Sequence, residues 1–168
     1  MQVHIFVKCL SAAPSRESRM TAKTSYSVDA ERAWVSLVRA EEAVVAAVES
    51  DVKEAGCAPL AWYDVALELS REGREAGLRQ NELERRLLFR QYNLSRIIDR
   101  MEAEKLVERM QCPEDGRGQL VRLTPSGRKF QKSMWPVYRA AIEKHFASKL
   151  SAREAGELAK LLEKLLLR

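Results

Sequence analysis

Between Leu78 and Thr124 the hydrophobic period switches from helical to alternating, and few folds accommodate that switch in that order. In LRQNELERRLL, Leu78, Leu83, Leu87 and Leu88 recur at helical intervals while Arg79, Gln80, Glu82 and Arg86 stay polar. FRQYNLSRIIDRMEAEKLVERM repeats the pattern, with Leu94, Ile97, Ile98, Met101 and Leu106 as the stripe expected to be buried. Only about Leu88–Arg90 separates the two segments, which together read as a helix-turn-helix whose second member can lie in a DNA major groove. The period then drops to two. LVERM at 106–110 and QLVRLT at 119–124 alternate, Leu106 aside, and bracket CPEDGRG, whose Pro113, Asp115, Gly116 and Gly118 form turns. This predicts a hairpin with Arg117 at its tip and Arg109 and Arg122 on its strands, placed to reach phosphates or a narrow minor groove. A helix-turn-helix followed by such a hairpin is a winged helix.

The flanks are helical. From a cap at Ser27 or Asp29, a segment ending at Gly56 carries Trp34, Leu37, Val38, Val44, Val45, Val48 and Val52 at helical spacing. At 1.5 Å per residue it spans roughly 40 Å, more than a small core needs, so part of its stripe is expected to pack on a second chain; a monomeric bundle helix is the alternative. LAWYDVALELSREG forms a short helix closed by Gly73. Thr124 caps a helix with Pro125 in its first turn, expected to run to about Phe146 and to bend near Pro136. Ser151 and Glu154 have capping-box spacing ahead of a last helix bearing Leu158, Leu161, Leu162 and Leu165. The expected fold is thus mainly α with a small β-hairpin wing: a winged helix-turn-helix at about 60–124, between dimerisation helices at about 28–55 and 125–167. Residues 27–168 read as one domain and residues 1–26 as a flexible arm, within which Met20 offers a second start.

Composition narrows the function. Apolar runs are broken by charge well before about 18 residues, which excludes a transmembrane helix, and MQVHIFVKCL stops too soon for a signal peptide. Cys9, Cys57 and Cys112 form no close pair, which fits a reduced, cytoplasmic setting. Asp64, Asp99, Glu102 and Glu104 have no histidine at metal-ligand spacing, His4 and His145 are far apart, and phosphate-binding glycine loops are absent. No metal, cofactor or enzymatic activity is expected. The charge is uneven: residues 1–70 carry 7 basic and 10 acidic side chains, residues 71–130 carry 14 and 10, and residues 131–168 carry 8 and 4. Arg85, Arg86, Arg90, Arg96 and Arg100 face one acid, Asp99, within a single stretch. Such a run is a solvated helix face or a nucleic-acid surface, and the winged helix around it favours the second.

On that surface Gln91, Asn93, Ser95 and Arg96 form a polar face opposite Leu94, Ile97 and Ile98. Arg96 is the first choice for reading a guanine edge, with a sequence-blind phosphate contact as the alternative. Tyr92 touches backbone or a thymine methyl, or packs beneath the helix. Arg90 and Arg100 are assigned to phosphates, Asp99 to orienting Arg96 or Arg100, and Gln80 and Asn81 to a phosphate at the preceding helix N-terminus. Asp115, two residues before Arg117, either holds that guanidinium extended or simply forms the turn. A winged-helix module for protein–protein contact, without specific DNA binding, is the competing function.

NLSRIIDRMEAEKLVER at 93–109 and PEDGRGQLVRLTPSGR at 113–128 carry a resemblance to the MarR family of winged-helix transcriptional regulators. It extends from Trp34 to the final helix. The resemblance implies a homodimer with interlocked first and last helices, acting as a ligand-responsive repressor on a palindromic double-stranded operator. It places the wing acid and arginine at Asp115 and Arg117 and the recognition segment at Gln91–Arg100. Arg90 stands where such proteins usually have a small hydroxyl residue, so the recognition helix needs another cap. Cys9 lies in the arm, away from the early-fold position of a peroxide-sensing cysteine. A small aromatic or phenolic effector is also implied, with Trp34, Trp62, Tyr63 and Tyr26 as pocket candidates that serve equally as core aromatics.

Overall fold

The computed structural model describes residues 27–71, 77–88, 93–112 and 118–166. Helix α1 is Val28–Glu54, and Ser27 begins it: its Oγ accepts from the Ala30 N–H at 3.1 Å and its carbonyl from Glu31. Contacts divide the chain into a unit ending at Val38 and one from Arg39 to Arg168. In the first unit α1 is largely exposed, with Trp34 at 65% and Val28, Val35 and Val38 also open.

In the second unit Val48 and Val52 of α1 are buried with Leu60 and Tyr63 of α2 (Leu60–Arg71) and Met134 and Ala141 of α5 (Pro125–His145). Asp51 ties the same elements at their rim, its carboxylate accepting from Lys144 Nζ at 2.9 Å and meeting His145 Nε2 at 2.9 Å. Hydrogen bonds from Lys144 and then His145 hold the Asp51 carboxyl below the usual aspartate range. A second core gathers Val65 and Leu69 of α2, Leu83 of α3 (Gln80–Arg86), Ile98 and Met101 of α4 (Leu94–Ala103), and Val107, Val121 and Leu123 of the sheet. Removing each large aliphatic side chain from water contributes about 1.5–3 kcal/mol, so this cluster fixes how α4 sits on the hairpin.

The sheet has three strands, β1 (Leu78–Arg79), β2 (Val107–Gln111) and β3 (Gln119–Leu123), in the order β1-β3-β2 and antiparallel throughout. Two expectations are corrected here. The helical reading of Leu78–Leu88 began two residues early: Leu78 pairs with Val121 and Arg79 with Leu120, and the helix starts at Gln80. Gly77 at φ +79 makes the entry possible, because a Cβ there would lie 2.9 Å from the Val121 carbonyl oxygen. Leu88, read as part of the apolar stripe, is 69% exposed, since α3 has already ended at Arg86. Leu106 also falls outside both α4 and β2; its N–H bonds the Met101 carbonyl, turning the chain into the hairpin.

Thr124 caps α5 as the sequence suggests, accepting from the Gly127 N–H at 3.0 Å, and its hydroxyl donates to the Lys105 carbonyl at 2.6 Å. The helix starts against the α4–β2 turn so closely that a Cβ at residue 127 would lie 2.0 Å from the Leu106 oxygen. Helix α5 continues through Pro136 to His145, followed by a short 3-10 turn at Ala147–Lys149. The last helix, α6 (Ala152–Leu166), has the expected capping box, with Ser151 N–H to Glu154 Oε2 at 2.8 Å and Glu154 N–H to Ser151 Oγ at 3.3 Å. None of its side chains is buried, and Leu161 and Leu165 are open to solvent.

Candidate nucleic-acid interface

The cap missing at Arg90 is supplied by Asn93, whose Oδ1 accepts from the Arg96 N–H at 3.3 Å to start α4. The period of 3.6 then separates two faces. Leu94, Ile98 and Met101 turn into the core, while Ser95, Arg96, Asp99 and Arg100 are exposed. Neither Arg96 nor Arg100 forms a side-chain ion pair with a described residue. Two guanidinium groups one helical turn apart are therefore presented to solvent beside the hairpin. Gln80 and Asn81 are exposed at the start of α3, where the Arg79 N–H donates to Glu82 Oε2 at 3.0 Å. Arg90, Gln91 and Tyr92, the tip residues Asp115 and Arg117, and Tyr26, Gly73 and Cys9 lie outside the described residues.

The hairpin arginines behave differently from the sequence reading. Cross-strand register pairs Arg109 with Val121 and Glu108 with Arg122, so strand alternation puts Arg109 on the inward face with Val107 and Arg122 on the opposite face. Arg109 does not extend towards a groove. Its Nη2 donates to Asp99 at 2.5 Å, its Nη1 donates to Glu102, and its backbone N–H donates to Glu102 Oε1 at 3.2 Å. Burial opposes its charge, but the hydrogen bonds and negative charges of Asp99 and Glu102 outweigh that and raise its pKa further. Asp99, expected to orient Arg96 or Arg100, is thus taken by Arg109. Arg122 Nε donates to Glu108 at 2.6 Å, the cross-strand pair the register dictates.

A residue the sequence reading left out braces the hairpin from β1. Arg79 Nη2 lies 3.3 Å from Cys112 Sγ, and its guanidinium passes so near Gly118 that a Cβ there would sit 2.8 Å from Nη1. Cys112 and Gly118 close the ladder through a Cys112 N–H to Gly118 carbonyl bond of 2.8 Å. The signal was available in parity, since Arg79 follows inward-facing Leu78 and must point the other way.

Of the four pocket aromatics, the three among the described residues are not equivalent. Trp34 is exposed in the N-terminal unit. Tyr63 is only 3% exposed, stacked on Trp135 with centroids 6.2 Å apart and edge-on to Tyr138 at 5.2 Å, and Trp62 meets the edge of Phe130 at 6.4 Å. Burial, assisted by the nearby Asp64 charge, raises the Tyr138 phenol above its ordinary pKa. An open groove of about 570 Å³ runs between α1 and α5, lined by Asp51, Glu54, Pro136, Val137, Ala140, Ala141 and Lys144, and contains none of these aromatics. Among the described residues no cluster of three His, Cys, Asp or Glu side chains could hold a metal, and no helix is long and apolar enough to cross a membrane.

A capped, arginine-bearing second helix locked to a three-stranded wing defines a winged helix-turn-helix protein. Residues 59–118 match the sequence profile of the MarR family. The fold is similar to that of AbsC, a MarR family transcriptional regulator from Streptomyces coelicolor, at 25% identity over 84% of this chain and 94% of that one, with a TM-score of 0.70. A second MarR family regulator from Streptomyces coelicolor, solved in complex with DNA, matches at 21% identity over 84% and 88% of the two chains, with a TM-score of 0.72. Bordetella bronchiseptica BpsR, described in terms of regulation of DNA binding by 6-hydroxynicotinic acid, matches at 24% identity over 81% and 99%, with a TM-score of 0.69. No curated protein sequence matches the chain. The MarR family profile thus falls on α2, the helix-turn-helix and the start of the hairpin, and the fold around it is similar to that of MarR family transcriptional regulators.

Proposed function

We propose that this protein is a homodimeric, sequence-specific double-stranded DNA-binding regulator, a ligand-responsive repressor working in the cytoplasm rather than an enzyme. The observation that carries the reading is the sorting of arginines: Arg109 and Arg122 are neutralised within the hairpin, whereas Arg96 and Arg100 stand exposed on α4. Two exposed guanidinium groups break no ion pair with a described residue on reaching a phosphate lattice, and one of them can fork onto guanine O6 and N7. In this reading Arg96, Ser95 and the Asn93 amide face bases, with Gln91 and Tyr92 preceding them. Arg90, Arg100, Gln80 and Asn81 take phosphates, and Arg117 enters the minor groove with Asp115 supporting it. The exposed leucines of α6 and the apolar side chains of α1 support a second copy, which would set two α4 helices on successive major grooves about 34–36 Å apart. The DNA complex of one similar structure supports the partner, and the hydroxynicotinic acid of another supports a small aromatic effector near Trp62 and Tyr63, with Trp34 as a further candidate.

The test is a gel shift with the DNA upstream of the protein's own gene, competed by scrambled duplex. A shifted complex that survives competitor is expected, and Arg96→Ala should change which sequence wins. Equal weakening on every duplex would remove Arg96 from base reading, and no shift at low salt would leave the protein-contact module as the better reading.

A further inference from the structure

Arg109 is held from three directions by two acids one helical turn apart on α4: Asp99 on one guanidinium nitrogen, Glu102 on the other, and Glu102 again on its backbone N–H. Its side chain is 22% exposed, against 60% for Asp99, so the joint lies at the solvent margin where α4 and β2 meet. Cross-strand register pairs Arg109 with Val121 and puts it on the same face as Val107, the face that packs against α4. The acids, Asp99 exposed and Glu102 half-buried, are sequence neighbours of Arg96 and Arg100, and nearby Glu104 and Lys105 make no side-chain ion pair with a described residue.

We propose that Asp99 and Glu102 are positioning residues for DNA selectivity: through Arg109 they set the angle between α4 and the wing and remove one cation from the DNA-facing surface. The inference rests on the DNA-binding reading above. A wing free to rock on α4 would still be attracted to phosphate, but Arg96 and the hairpin tip would no longer reach their contacts together. An unclamped Arg109 would add attraction that is blind to sequence. The clamp therefore favours discrimination over total affinity.

The probes are a duplex selected from a random library by the unaltered protein and a scrambled duplex of the same composition, each titrated over a range of salt. In Asp99→Asn/Glu102→Gln, the ratio of selected to scrambled affinity should fall about tenfold, and the salt slope on scrambled DNA should steepen by about 0.9 as one cation is released to phosphate. Arg109→Met should lose the same selectivity with no steeper slope, since it releases two carboxylates and no cation to the surface, and Arg109→Lys should recover part of the ratio. Thermal melts confirm that each variant folds; if Arg109→Met does not, the double variant and Arg109→Lys still decide. A merely structural clamp predicts lower melting temperatures and less active protein with the affinity ratio unmoved, and that result overturns the proposal. Failure of the unaltered protein to enrich any duplex overturns the DNA-binding reading instead, and the proposal with it.

Discussion

Gly127→Ala probes the joint on which the wing's placement depends. An added Cβ would lie 2.0 Å from the Leu106 oxygen, 2.8 Å from Leu123 Cδ2 and 2.9 Å from the Leu106 carbonyl carbon. The first and last are backbone atoms and cannot rotate away, so α5 must withdraw from the α4–β2 turn by more than about 1 Å to restore ordinary contact. That withdrawal stretches the Thr124 bonds to the Lys105 and Leu106 carbonyls, at 2.6 and 3.2 Å, and the Thr124 N–H bond to Leu106 at 3.1 Å. The hydroxyl has one proton to share between its two carbonyls, so two bonds at a net ~0.5–1.5 kcal/mol each suggest a loss of about 1–3 kcal/mol, and overpacking a tight contact independently suggests about 1–3 kcal/mol. Alanine's better helix propensity returns up to about 1 kcal/mol, leaving a net destabilisation of about 1–2 kcal/mol. For a domain of this size that lowers Tm by about 2–8 °C, measured by calorimetry at fixed protein concentration. Gly156→Ala is the internal control: beyond its own turn of helix, none of the described residues lies within 4 Å of its added Cβ, and it should gain about 0.5–1 kcal/mol. If the two variants melt together, the close approach of α5 to the turn does not carry the stability assigned to it.

Other outcomes can be read independently. Asp51→Asn should flatten the acid limb of the stability curve: the lowered carboxyl pKa means its contribution is present above the unfolded value near 3.8 and lost as pH falls through the lower folded value, so unfolding curves from neutral pH downward check it. If the proposed dimer uses the exposed α6 face, replacing Leu161 and Leu165 together by Asp should weaken self-association at least about a hundredfold in sedimentation equilibrium, since about 1.5–3 kcal/mol per leucine is forfeited; unchanged association would exclude that face. Arg117→Ala should lower DNA affinity and reduce the salt slope by about 0.9, leaving the preferred sequence unchanged.

The switch of period made the winged helix legible, because Leu94, Ile98 and Met101 at helical spacing and Val121 and Leu123 at strand spacing each satisfied one geometry only. Thr124 and Ser151 were equally legible, since a hydroxyl ahead of an amphipathic run has one efficient use. β1 was not, as two residues cannot display alternation and Leu78 suits a helix or a strand. The larger misreading concerned charge. Arg109 and Arg122 were treated alike because both lie on strands, yet 109 and 122 point to opposite faces once Arg109 is paired with Val121. A strand register, which composition does not supply, decides which arginine is spent inside the protein. Asp99 and Glu102 at helical i, i+3 spacing were the available sign that something on the hairpin needed holding.

The three-stranded order has a consequence for anyone wishing to exchange the winged helix of this protein. With β3 in the middle, the hairpin is completed by two residues that precede the helix-turn-helix, and its far end is welded to the first turn of α5. Transplanting 107–123 alone would strip β3 of a neighbour and leave the graft with a raw margin open to unwanted partners. The exchangeable cassette is the stretch from Gly77 to Gly127, within which helix, hairpin and their braces travel as one piece.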